Sequence, residues 1–307
     1  MINNPWKRDI MHKDFLVSIV LVNYNGMKDT VDCINSLLNI RYGNYVIIVV
    51  DNGSTDKEDL PSDYLSNNKI VYLKNEDNLG FAGGNNIGCR YAIEELHVDY
   101  LLLLNNDTIV DCSFLNHMMS CIEKYGSETV VTGKILYESD HTKLWYAGGR
   151  IDYSRGLAVH FTDEKWSSKK RYPKVSFASG CLLLLSSKAF SEIEGIPEEY
   201  FLYYEDADLC SILREKGYVI RYCSDAVIYH KVNASTGTKS NLSIYYGSRN
   251  RLYFIKKFGK RKIKGYLSAY AMCLRSVLKH PSRIKVVKQA IEDFHMCKMG
   301  RTEMKFE

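Results

Sequence analysis

Leu101-Leu-Leu-Leu-Asn-Asn-Asp107 is an apolar run that ends in three polar side chains, the last of them an acid. Four leucines in succession predict a strand covered on both faces, since a strand with one wet face alternates instead. The change at Asn105 puts the acid just past the strand's carboxyl end. In open α/β sheets ligands sit beyond that edge, where a lone carboxylate can hold a metal or a phosphate-bound cation. The same residues also suit an ordinary turn, because Asn and Asp hydrogen-bond their own backbone there. The neighbouring segments bear on the choice.

On the N-terminal side, Phe15–Val22 and Tyr45–Val50 are further β-rich apolar runs, with Ile70–Leu73 a shorter one. Thr30–Leu38 and Ala82–Leu96 repeat apolar residues at helical spacing between them. Strands alternating with helices predict an α/β fold with a mostly parallel, Rossmann-like, doubly wound sheet flanked by helices. Past Asp107 the pattern loosens. A helix is expected over Phe114–Tyr125, a strand over Val130–Leu136 and short antiparallel strands over Leu144–Phe161. Phe177–Leu185 returns to a buried strand, Glu205–Lys216 makes a helix stopped by Gly217, and Tyr218–Tyr229 supplies two short strands. From Ser243 onward the chain reads as helices broken at His280-Pro281-Ser282. The expected division is residues 1–242 as the main domain and 243–307 as a helical extension.

With 46% hydrophobic and 25% charged residues, the 307-residue chain has an ordinary globular balance, which excludes wholesale disorder. Nine scattered cysteines without CxxC spacing predict reduced thiols in a cytoplasmic protein, not a disulfide frame. Met1–Asp14 is polar and lacks the apolar core of a signal peptide, and no run approaches the ~18 apolar residues of a membrane span. The net charge of +5 is unevenly spread: residues 249–307 carry 16 Lys/Arg against 4 Asp/Glu, a net +12, so the first 248 carry −7. Such asymmetry predicts a separate role for the tail.

Three polar turns follow three apolar strands: Asn23-Tyr-Asn-Gly26, Asp51-Asn-Gly-Ser-Thr-Asp56 and Asn105-Asn-Asp107. At one sheet edge they build a cleft suited to a nucleotide. Asp51 can accept from the N3–H of a pyrimidine or cap its own turn. Asn78–Gly88 is a Gly-rich loop entering a helix, whose backbone N–H groups can face a phosphate or ribose. Its glycines fall at 80, 83, 84 and 88, so GxGxxG is absent and a nicotinamide oxidoreductase loses its main support. Candidate donor contacts are therefore Asn23, Asn25, Asp51, Asn78, Gly83, Asn85, Asn106 and Asp107. Glu205, Asp206 and Asp208 crowd a predicted helix start. Acids favour that end of a helix, but clustered carboxylates also raise one another's pKa and suit one of them to take a proton from a hydroxyl. His230 closes a short strand and by itself reads either way, as a structural residue or a metal ligand.

In this order the blocks Val17–Gly26, Val50–Asp56, Asn78–Asn86, Leu104–Thr108, Ala178-Ser-Gly180, Phe201–Asp208 and Tyr229-His230 resemble the inverting nucleotide-sugar glycosyltransferases of family 2, which share the GT-A fold. Val17 to about Tyr253 is covered, and the rhamnosyltransferase-like branch of bacterial surface polysaccharide synthesis is the most similar. The resemblance implies a single displacement at the anomeric carbon of a dTDP- or UDP-sugar, rhamnose above other sugars, by a saccharide or lipid-linked saccharide. Asp107 stands at the last position of the family's DxD motif, Asn105 replaces the first acid, and His230 matches a histidine that helps ligate Mg²⁺ or Mn²⁺ in some members. Asp206 matches the catalytic base and Asp51 the acid that reads the nucleotide base. A non-catalytic nucleotide-sugar-binding or scaffolding relative is the alternative.

The tail's basic residues alternate with apolar ones: Lys256, Lys257, Lys260–Lys262 and Lys264 among Tyr253, Phe254, Ile255, Phe258, Ile263, Tyr266 and Leu267. Without a nucleic-acid-binding motif, the expected partner is no nucleic acid but an anionic membrane at its cytoplasmic face. Solvated helices packed on the main domain fit the same composition. Arg249-Asn250-Arg251 is a further, weaker candidate for the donor diphosphate.

Overall fold

In the computed structural model, which describes residues 15–56, 58–166, 171–232 and 240–304, the leucine run is β4 of a nine-stranded sheet. The polar stretch Met1–Asp14 lies outside the described residues. β1 (Val17–Asn23), β2 (Tyr45–Asn52), β3 (Ile70–Asn75) and β4 (Tyr100–Leu104) pair in parallel in the order β3-β2-β1-β4. The links are α1 (Met27–Leu37), the short α2 (Ser62–Leu65) and α3 (Gly80–Glu94). β2 and β4 are buried along their whole length, which is why both read as unbroken apolar runs. The shared parallel sense brings Asn23, Asp51 and the Asn105–Asp107 turn to one edge.

Beyond β4 the sheet is mixed, where the sequence predicted mostly parallel pairing. After β5 (Thr108–Val110) and α4 (Phe114–Tyr125) come β6 (Thr129–Tyr137), β7 (Asp140–Tyr146), β8 (Gly149–Asp152) and β9 (Leu157–His160). β10 (Leu182–Ser186) then inserts antiparallel between β4 and β6, with Leu184 opposite both Leu102 and Val131. α5 (Ser187–Glu192) and α6 (Glu205–Glu215) precede β11 (Val219–His230), a single strand irregular between Cys223 and Val227, where two strands were expected. β11 runs parallel to β6 and antiparallel to β5, which carries His230 beside Thr108.

The C-terminal residues form α7 (Asn241–Phe258), α8 (Lys262–Lys279) and α9 (Ile284–His295), with a 3₁₀ turn at Pro281–Arg283 where Pro281 interrupts the pattern. α7 is not a solvated tail helix. Arg249, Asn250, Arg251, Leu252, Phe254 and Ile255 are all buried in it. Arg249 and Arg251 donate to main-chain carbonyls, Arg249 to Gly300 and Arg251 to Arg155, which turns their fixed charges inward as scaffold. These contacts occupy the two guanidiniums that the sequence offered for a diphosphate. No helix of the described residues is long and apolar enough to cross a membrane.

Candidate active site

Parallel register sets Asn23 opposite Asp51, so the two side chains emerge together at the sheet's carboxyl edge. A hydrogen-bonded chain then crosses three turns. Asn106 Nδ2 donates to Thr30 Oγ1 at 2.8 Å, Thr30 donates to Asn23 Oδ1 at 3.0 Å, and Asn23 Nδ2 reaches Asp51 Oδ1 at 3.4 Å. Asp51 also accepts from the Ser54 hydroxyl and, at 3.3 Å, the Ser54 N–H. Asn25 takes a left-handed φ of 53°, which Asn tolerates, and its side-chain oxygen accepts the Thr55 and Asp56 N–H groups at 2.7 and 3.1 Å. Asn23, Asn25, Asp51 and Asn106 are thus held in one polar network.

The Gly-rich segment is fixed by a residue that the sequence did not single out. Asn52 accepts from Asn75 Nδ2 at 3.0 Å and from the Leu79 N–H at 3.2 Å, and donates to Gly80 O at 3.0 Å and Asn78 Oδ1 at 3.2 Å. Asn78 Oδ1 receives the Gly80 N–H at 2.8 Å. Gly80 has φ +76°, and a Cβ there would lie 2.2 Å from Phe201 O, so close approach as well as φ demands glycine. Gly83 and Asn85 lie buried within α3, and the Asn85 amide donates back to Phe81 O at 2.9 Å.

The fold brings Asp107 and His230 together. His230 Nε2 lies 3.0 Å from Asp107 Oδ1, and the Lys231 N–H donates to Asp107 O at 3.0 Å. The Trp145 ring packs edge-on against the imidazole at 4.8 Å between centroids. Lys231 Nζ bridges Asp29 and Asp32 of α1, each at 2.7 Å, tying the end of β11 to the first turn region. His230 Nδ1 is buried with no hydrogen-bond partner among the described residues. One carboxylate oxygen facing one imidazole nitrogen is a donor pair suited to a divalent ion. No group of three or more His, Cys, Asp or Glu side chains stands ready for an ion among the described residues, so other ligands must complete any coordination.

The acid cluster separates into three environments. Asp208 is fully buried and tied up, with the Tyr200 hydroxyl 2.7 Å and Lys257 Nζ 2.8 Å from its Oδ2. Glu205 is buried, its Oε2 lacks a partner among the described residues, and burial followed by the neighbouring Asp206 charge pushes its carboxyl well up. Asp206 stays half-buried and accepts the Gly180 N–H at Oδ2, 3.3 Å away. Burial pushes its carboxyl up to about 6, with the N–H groups of Gly180, Ala207 and Asp206 itself opposing the shift. The Gly180-Cys181 dipeptide also joins the two halves of the site. Gly180 donates to Asp206, while Cys181 O accepts the Asn105 N–H at 3.1 Å, two residues before Asp107.

The segment leading into Asp206 is strained. Phe201, Tyr203 and Tyr204 have φ of 63°, 66° and 77°, a region that costs roughly 1–3 kcal/mol for each non-glycine residue. α7 supplies the restraint. The buried Asn250 amide donates to the carbonyls of Tyr200, Leu202 and Tyr203 at 2.9, 2.8 and 2.9 Å, and Lys257 holds Asp208 one turn into α6.

Known proteins resemble this chain in sequence and in fold. The glycosyl transferase family 2 profile matches residues 18–194. The low-salt glycan biosynthesis hexosyltransferase Agl10 of Haloferax volcanii is 27% identical over 239 residues, 76% of this chain and 74% of its own. Glycosyltransferase GlyG of Streptococcus pneumoniae is 25% identical over 181 residues, and the match spans 58% of this chain and only 59% of that protein. Among solved structures, GalNAc-T7 with UDP, GalNAc and Mn²⁺ superposes with a TM-score of 0.60 at 15% identity, over 82% of this chain and 54% of the other. Residues 1–349 of S. aureus TarS in complex with UDP-GlcNAc superpose with a TM-score of 0.57 at 17% identity, over 91% and 80%. These likenesses establish a GT-A architecture.

Proposed function

The chain belongs to glycosyl transferase family 2, and on that premise we propose that it transfers a sugar, with inversion, from a nucleoside diphosphate to a hydroxyl of a saccharide or lipid-linked saccharide. The donor we assign is a dTDP- or UDP-sugar, with rhamnose as the transferred group, and the pathway is surface polysaccharide synthesis. Nine free cysteines support a reducing, cytoplasmic setting. Residues 1–242 are assigned as the transferase domain and 243–307 as its helical extension.

The observation that carries the reading is the separation of the three acids. Asp206 alone combines a main-chain N–H on one oxygen with residual exposure and a carboxyl raised towards neutrality. Such a group is matched to general-base work. In the displacement the acceptor oxygen bonds the anomeric carbon from the face opposite the diphosphate. Its proton passes to Asp206, and the electron pair of the breaking carbon–oxygen bond leaves on the diphosphate. The turns at Asn23, Asn25, Asp51, Asn78 and Asn106 orient the nucleotide, and Asp51 accepts from the base. Asp107 and His230 would hold Mg²⁺ or Mn²⁺, which when bound supplies positive charge to the departing diphosphate.

Asp206→Asn is expected to lower transfer by at least ~10³-fold while nucleotide sugar still raises the melting temperature, since a base lost from the transition state leaves ground-state binding intact. Turnover within tenfold of wild type removes Asp206 from this role. A non-catalytic sugar-nucleotide binder is the second reading, favoured only by the sparse donor set around Asp107. Absence of both transfer and donor hydrolysis, with binding retained by the unaltered chain, would select it.

A further inference from the structure

We propose that α8 docks the protein on an anionic bilayer, with an apolar stripe immersed and a flanking row of cations on the headgroups. The buried face of α8 is made of small residues, Gly265, Ala269 and Cys273, which let it lie close on α7; a Cβ on Gly265 would sit 3.0 Å from the Ile255 side chain. Turned well away from that face are Ile263, Leu267, Leu274 and Leu278, which are 79%, 67%, 60% and 72% exposed. At about 100° per residue these four fall within one narrow stripe along roughly 22 Å of helix. Lys264, Arg275 and Lys279 fall on the adjoining face. Between Gly259 and Ile291 the chain has nine Lys/Arg and not one Asp or Glu.

The structure also moves this surface from where the sequence alternation put it. Phe254 and Ile255 are buried in the interior, and Lys257 serves Asp208. Only Ile263 and Leu267 of the earlier apolar set lie open, and the stripe runs on through Leu274 and Leu278 instead. Near its start, three cations, Arg261, Lys262 and Lys264, and two apolar side chains, Ile263 and Leu267, together line a shallow depression of about 450 Å³. That pairing matches a phospholipid, whose headgroup is anionic and whose chains are not.

Charge decides the occupant. A second copy packed stripe to stripe would bring two acid-free cationic rims together, which is repulsive at short range. A bilayer carrying anionic lipid offers the complementary charge along the whole helix. The inference stands apart from the catalytic reading, because vesicle binding requires no turnover.

The test is co-sedimentation of the full chain with vesicles of phosphatidylcholine alone and with one third phosphatidylglycerol, at 0.05 and 0.5 M salt. Wild type is expected to partition at least ~10-fold more strongly onto the anionic vesicles at low salt, and to lose most of that preference at high salt. Replacing Ile263, Leu267, Leu274 and Leu278 together by Ser should cut binding by roughly 30-fold or more with the melting temperature and donor hydrolysis unchanged, since all four are exposed. Lys264, Arg275 and Lys279 changed together to Gln should abolish the anionic preference and leave only weak residual binding. No binding to anionic vesicles, or binding that the Ser variant retains, overturns the proposal. So does a wild-type dimer by sedimentation velocity that the Ser variant dissociates while neither binds vesicles, which would make the stripe a contact between copies.

Discussion

The sharpest test of how this fold holds its proposed base is Asn250, which lies on α7 and is fully buried. Two N–H bonds on Nδ2 serve three carbonyls at 2.8–2.9 Å and Oδ1 accepts from Arg249 Nε at 3.0 Å, so Asn250→Ala removes four hydrogen bonds at once. At about 1 kcal/mol net for each bond, and up to ~3 where a buried carbonyl loses its donor, the expected loss of folding stability is about 2–4 kcal/mol. Tyr200 O keeps the Leu202 N–H at 2.8 Å, which argues for the lower half of that range. Asn250→Asp should be worse than Ala, because a carboxylate is acceptor-only and would face carbonyl oxygens. The loop so released contains the three left-handed residues before Asp206, and its relaxation moves the carboxylate from its place beside Gly180. Denaturant unfolding measures the first effect. Steady-state kinetics below the melting range measure the second, with kcat expected to fall at least ~10-fold and the donor KM to change less than ~3-fold. An Ala variant with the stability loss but an unchanged kcat would refute the link from α7 to the base. Equal stability of the Ala and Asp variants would refute the hydrogen-bond accounting.

Burial raises the carboxyls of both Asp206 and Glu205, and the two consequences differ in sign. Transfer should fall as pH drops through about 6, where Asp206 takes up a proton and can no longer accept one, a limb that a pH–kcat profile reads directly. Glu205 binds its proton more tightly folded than unfolded, so its contribution to stability is complete below the ordinary carboxylate range and is lost as pH rises towards about 8. Glu205→Gln should flatten the fall in melting temperature over that window; a variant with the wild-type slope would place the charge cost elsewhere. Gly80→Ala should destabilise by at least ~2 kcal/mol and weaken donor binding, because both its φ and the 2.2 Å approach to Phe201 O exclude a Cβ; a melting curve within a degree of wild type would contradict that. His230→Ala should raise the Mn²⁺ concentration giving half the UDP-dependent thermal shift by about 10- to 100-fold, and an unchanged midpoint would take His230 out of the ion's surroundings.

The first half of the fold was legible because its information is local. Val46–Val50 and Leu101–Leu104 are buried on both faces, so burial wrote itself into the sequence as unbroken apolar runs, and the polar turns after them had to share an edge. β10 is just as apolar but runs the other way, since composition carries burial and not direction. Asp107 and His230 could be paired before any coordinates, yet Asn52 and Asn250 could not. An asparagine in a turn and one in a basic helix announce nothing until their partners, 20 to 50 residues away, are folded against them. The three acids of α6 were likewise equivalent as sequence. Lys257 and Tyr200 distinguish them, and both contacts are tertiary.

That dependence alters what α7 is for. The positive φ of Phe201, Tyr203 and Tyr204 and the uncompensated Glu205 both oppose folding, and they sit immediately before Asp206. A helix start assembled from such residues persists only if something outside it over-determines the geometry. α7 does this from both sides, by Asn250 on the incoming carbonyls and by Lys257 on Asp208 within the helix. The same helix carries Ile255, on which Gly265 of α8 rests. One rigid element therefore spans from the proposed base to the proposed membrane face. The two contacts, Asn250 and Ile255, lie five positions apart on α7, so a surface that fixes α8 also fixes the direction from which an acceptor must approach Asp206. For a lipid-linked acceptor, whose anchor cannot leave the bilayer, that shared orientation turns a search in three dimensions into one along a plane, and gives the basic extension a reason to be joined to the catalytic body by its most buried helix.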